Sequence, residues 1–149
     1  MNEYLLFLAS VVVFVIYFYF WGMKAPKPYR NRSCMGKEWK TDFPQISKNK
    51  IRLYLECFID GMAFENSEKL KFRPDDKIID VYRSIYGGVT PYGDAMELET
   101  FSMNIEQYFN VSQQFLMDTW RENMTLGELF KAILAQQNHP ADARFAHDG

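Results

Sequence analysis

The spacing of apolar positions divides this chain into an unbroken apolar run, an irregular stretch and a helical repeat. From Tyr4 to Met23 no charged residue interrupts "YLLFLASVVVFVIYFYFWGM". A helix of about twenty residues rises ~30 Å, the hydrocarbon thickness of a bilayer. The run therefore predicts a single transmembrane helix over residues 4–23. It begins in the acidic "MNEY" and ends in aromatics, without the basic n-region and small-residue cleavage site of a signal peptide. Tyr17, Tyr19 and Trp21 suit the membrane–water interface.

Beyond residue 46 the apolar positions recur every three or four residues, which predicts amphipathic helices. In "SKNKIRLYLECFIDGMAF" they are Ile51, Leu55, Phe58, Ile59 and Met62, with Lys50, Arg52, Glu56 and Asp60 on the other faces. "PDDKIIDVYRSIYGG" is a short apolar turn closed by glycine, and "GGVTPYG" is a loop by composition. In "DAMELETFSMNIEQYF" the stripe is Leu98, Phe101, Ile105 and Phe109, with Asp94 placed to cap the first turn. "SQQFLMDTW" is a short helix. "TLGELFKAIL" opens on the capping box Thr125 and Glu128 and buries Leu126, Leu129, Phe130 and Ile133. Strand patterns are scarce. The fold class is all-α: the transmembrane helix, then a small bundle of about four helices over residues 46–134 and a flexible tail over 135–149.

Between run and bundle, residues 24–45 hold three prolines and a dense cluster of basic charge, and read as a linker. Lys24, Lys27, Arg30, Arg32, Lys37 and Lys40 stand against Glu38 alone, a net of +5 over residues 24–40, while residues 1–23 contain no Lys or Arg. Basic residues beside a span stay cytoplasmic. The expected placement is thus a single-pass inner-membrane protein, N-terminus outside and C-terminal domain in the cytoplasm. The collar also suits anionic lipid, at ~1 kcal/mol per basic residue. Residues 41–149 carry 11 Lys/Arg and 17 Asp/Glu, a net of −6, which excludes nucleic acid as a partner.

Cys34 and Cys57 read as free thiols in a reducing compartment, Cys57 as a small core residue. The sequons at Asn31, Asn110 and Asn123 then stay unmodified. Catalytic candidates are few. His139 and His147 lie in the tail, and no Cys/His/Asp spacing fits a metal site. Asp75 and Asp76 follow a proline, as helix-capping residues do. Gly87 and Gly88 lack the lysine of a phosphate loop. Ser84, Ser102 and Ser112 have no histidine nearby in sequence. No enzymatic activity is expected.

In order and spacing, residues 48–134 resemble an acyl carrier protein. "KIRLYLECFI" stands where the first carrier helix belongs, and "RPDDKIIDVY" resembles the segment before the modified serine. Asp94, Ala95 and Met96 occupy the place of Asp-Ser-Leu at the start of helix two, followed by Phe101, Ile105, Glu106 and Phe109. Met124, Thr125 and Leu126 match the step into the last helix. Small acidic bacterial proteins of unassigned role share this pattern. The resemblance implies a carrier fold. Ala95 replaces the serine that would hold a phosphopantetheine arm, so no cofactor is expected. What remains is a membrane-anchored, non-enzymatic module that docks a cytoplasmic partner through Asp94, Met96, Glu97 and Glu99. Two alternatives stay open: a true carrier modified at another serine such as Ser102, and a small single-span subunit of a larger membrane complex.

Overall fold

The computed structural model of the chain describes Tyr4 and residues 7–13, 24–87 and 95–138. These are helical without strands; β pairing among them goes no further than isolated bridge residues, such as the antiparallel bridge between Lys77 and Thr125. Among the described residues no helix is long and apolar enough to cross a membrane. The expected span over residues 4–23 is corrected accordingly. Its described helical stretch, residues 7–13, extends ~10 Å at 1.5 Å per residue, about a third of a bilayer core. The remainder of that span lies outside the described residues.

The helices follow the caps and stripes of the sequence. Ser47 opens one of the two longest among the described residues: its hydroxyl accepts the Lys50 N–H at 3.2 Å, and α3 runs Lys48–Gly61. Two short helices precede it, α1 (Lys27–Arg30) and α2 (Gly36–Asp42). A 3₁₀ turn, Asn66–Lys71, leads to α4 (Ile78–Ile85), which stops before Gly87 at φ +68°. Then come α5 (Met96–Phe109), α6 (Gln113–Thr119) and α7 (Leu126–Asn138). Ser112 caps α6 through the Phe115 N–H, and Asn110, in the left-handed region, ends α5. The Thr125–Glu128 capping box forms in both directions, at 2.9 and 3.2 Å.

The anticipated stripes face one another. Ile51, Leu55, Phe58, Ile59 and Met62 of α3 are buried with Phe101, Ile105 and Phe109 of α5 and Leu126, Leu129, Phe130 and Ile133 of α7. Tyr54 stacks on Phe130 with ring centroids 4.6 Å apart, and its hydroxyl donates to Leu126 O at 2.8 Å. Burial raises that phenol well above its ordinary range.

Residues 24–45 are not a free linker. Trp39 is fully buried and its indole N–H donates to Phe72 O at 2.9 Å. Phe43 meets Phe130 edge-on at 5.0 Å, and Ala25 and Tyr29 join the same core. Prolines and cations disguised this in the sequence, because helices of four and seven residues are too short to show a period. The expected tail also begins later: α7 continues to Asn138, held where the Gln137 amide donates to Phe109 O and accepts from Lys50 Nζ, both at 2.7 Å. Residues 139–149, with both histidines, lie outside the described residues.

Asp75 and Asp76 do not cap α4, whose N-cap is Lys77 without a side-chain bond. Asp76 is 8% exposed and accepts the Arg73 N–H at 2.7 Å and Arg32 Nη1 at 2.6 Å. Beside it, segment 74–78 joins the start of α7 through Ile78 N to Met124 O, Leu126 N to Asp76 O and Gly127 N to Pro74 O. A Cβ on Gly127 would sit 3.0 Å from Pro74 O, a tight contact that glycine avoids.

Candidate functional site

The first turn of α5 is where the sequence pattern led partner-binding residues to be expected. Asp94, the expected cap, lies outside the described residues, and the N-cap position belongs to Ala95. Ala95 is exposed, at φ −119° and ψ 30°, and offers no side-chain cap; its carbonyl takes the Glu99 N–H at 2.9 Å. With a methyl at the exposed helix end there is no hydroxyl to phosphorylate. Acidic residues suit this end because the helix dipole is positive there.

The remaining three residues differ in availability. Met96 is 63% exposed and Glu99 is exposed. Glu97 is committed: its Oε1 accepts the Tyr86 hydroxyl, and its Oε2 is buried without a hydrogen-bond partner. Glu97 thus ties α5 to the end of α4, and Met96 and Glu99 face outward.

Along α5 from this end lies an apolar slot of about 240 Å³. Leu98, Phe101 and Ile105 of α5 form one wall; Leu116 and Met117 of α6 with Trp120 beyond it form the other. Met117 is 63% and Trp120 37% exposed, so the slot opens to solvent along its α6 rim. A sign of this wall is present in the sequence: Met117 and Trp120 are apolar, three residues apart and off the Leu116 core position. Together α5 and α6 carry Glu97, Glu99, Glu106 and Asp118 and no Lys or Arg. The slot therefore has an apolar floor, and Glu99 is the one charged residue lining it.

Ser102 borders the slot. Its hydroxyl lies 2.8 Å from Glu99 O and 3.0 Å from Gln113 Oε1. Both neighbours are acceptors and neither is a base, so nothing there activates the oxygen as a nucleophile. Among the described residues no group of three His, Cys, Asp or Glu is arranged to hold a metal ion.

The basic residues of 24–40 do not form one collar. Lys24 and Lys27 are exposed and Arg30 is half-buried. Arg32 pairs with Asp76 and lies 4.8 Å over the Tyr29 ring. Lys40 Nζ donates to Pro44 O at 2.7 Å and Ile46 O at 2.8 Å, while Lys37 is exposed on the same helix. Arg32 and Lys40 thus have structural tasks inside the fold.

No protein-family model matches the chain, and no curated protein or solved structure matches it.

Proposed function

We propose that this chain is a non-enzymatic interaction module of acyl-carrier-like build, which docks a protein partner on the α5–α6 face. The apolar slot between those helices, with Glu99 at its edge, carries the reading. Its size suits one large side chain, and Glu99 at its edge suits a cationic neighbour, so the partner is a helix with an apolar anchor beside a Lys or Arg. Met117 supplies a flexible contact that adapts to the anchor, and Trp120 supplies a rigid aromatic edge of the kind that dominates binding energy. Ala95 supports the loss of a phosphopantetheine arm. A carrier modified at Ser102 is disfavoured, because that hydroxyl is turned into hydrogen bonds along the helix flank.

The test places a photo-crosslinking amino acid at Met117 in the full chain. Crosslinks should fall on a basic amphipathic segment of one partner. Trp120→Ala should weaken capture by ~2 kcal/mol or more, and Glu99→Lys should reduce it further, with melting temperature unchanged for both. Capture that survives both substitutions places the contact elsewhere. Intact mass of the protein from its own host should show no pantetheinyl phosphate; one on Ser102 restores the carrier reading.

A further inference from the structure

A second cleft, of about 480 Å³, lies on a different face, between α2, α3 and the 3₁₀ turn. Its charge is opposite to that of the slot. Lys37 and Lys40 of α2 are three residues apart and line one side; Lys48 and Arg52 of α3 are four apart and line the other. These spacings put each pair on one helix face. Between them the floor is apolar, formed by Ile51, Leu70 and the bare backbone of Gly36.

Four cations gathered in one place of an acidic globule repel one another unless carboxylates intervene. Here they do not. All four carboxylates of α2 and α3 are directed elsewhere. Glu38 binds Arg73 at 2.7 Å, and Glu56 pairs with Lys69. Asp60 accepts from Asn104 at 2.8 Å, and Asp42 lines a separate cleft beside Phe43 and Pro44. Among the described residues no ion pair engages Lys37, Lys40, Lys48 or Arg52. Lys40 is moreover held in place. Two of its three ammonium protons go to the carbonyls of Pro44 and Ile46, and the third remains for a ligand oxygen.

We propose that this cleft binds a phosphate-bearing anion with an attached apolar portion. Arg52 and the three lysines surround the phosphate oxygens, the guanidinium as a two-pronged donor and the ammonium groups as point charges. The apolar portion lies on Ile51 and Leu70. A lipid headgroup and a soluble phosphate compound share this chemistry.

Cys34 provides the reporter. It lines the cleft and is exposed, whereas Cys57 is buried. The full chain is alkylated with iodoacetamide while inorganic pyrophosphate is titrated in at constant ionic strength. A parallel titration uses a short-chain phosphatidic acid below its micelle concentration. Either probe should slow Cys34 alkylation and raise the melting temperature. Protection by pyrophosphate as strong as by the lipid identifies a soluble phosphate; protection by the lipid alone identifies a headgroup. The double variant Lys37→Gln/Arg52→Gln should melt as the parent does without probe and bind roughly a hundredfold more weakly, about tenfold per charge-assisted hydrogen bond. Cys34 reacting at one rate with and without both probes overturns the proposal. So does equal protection in the double variant.

Discussion

Cys57 stands where α3 meets α5. Its sulfur lies 3.8 Å from Asn104 O, and the Asn104 amide donates to Cys57 O at 3.3 Å. Burial first, and the neighbouring Asp60 charge second, push the thiol up from 9.0 to about 12. The unfolded chain loses this proton near 9.0 and the folded one keeps it until about 12. The fold thus binds more protons across that window. Its contribution to stability is complete below 9.0 and declines as pH rises toward 12. Tyr54 acts in the same direction, since burial disfavours its phenolate. Two outcomes follow. At pH 8 the folded protein should take one alkyl group, on Cys34, and a second only in denaturant. Melting temperature should fall as pH climbs above 9. Folded Cys57 reacting as fast as Cys34 would show that the α3–α5 junction is open.

At the scale of elements, α3 and α5 cross so closely at Gly61 that a side chain has no room. A Cβ there would stand 2.6 Å from Phe101 Cβ and 2.7 Å from its Cα. Alanine is the better helix former by ~1 kcal/mol, but the clash involves backbone and a fully packed ring, so α5 must move. Gly61→Ala should destabilise by ~1–3 kcal/mol, read in chemical denaturation. Two residues on, Ala63 ends the same helix at φ 56°, a conformation that an alanine holds at a cost of ~1 kcal/mol. Ala63→Gly should therefore be neutral or stabilising. If both substitutions move stability the same way, the crossing is looser than these distances imply.

For the whole molecule, the decisive feature is that residues before 46 complete the core. Trp39 fills the space between Phe72, Tyr54 and Phe130, and Arg32 neutralises the buried Asp76. A chain beginning at residue 46 would lack both. Loss of a buried Trp alone removes ~3–5 kcal/mol, out of ~5–15 for a typical domain. That shorter chain should melt at much lower temperature, or without a cooperative transition, and should bind a hydrophobic dye. A chain beginning at residue 24 should melt as the full chain does. Equal melting of the two would return residues 24–45 to the standing of a linker.

Helical content, the three long stripes and the Thr125–Glu128 box follow from local information. A stripe repeats within one helix, and a box closes within four residues, so each is written in neighbouring positions. Ile51, Phe101 and Leu129 could be assigned to a core before their partners were known. The exposed methyl of Ala95 was equally legible. Tertiary structure decided what depends on residues far apart. It brought Trp39 to Phe72 and Arg32 to Asp76, turning an apparent linker into a wall of the core. It gave Glu97 to Tyr86 and left Glu99 outward, a difference invisible in two carboxylates on one helix turn. It also sorted the charge, gathering Lys37 and Lys40 with Lys48 and Arg52 in one cleft and leaving Glu99 alone at the edge of the apolar α5–α6 slot. Composition records how many charges a chain has; only the packing of helices determines which of them meet.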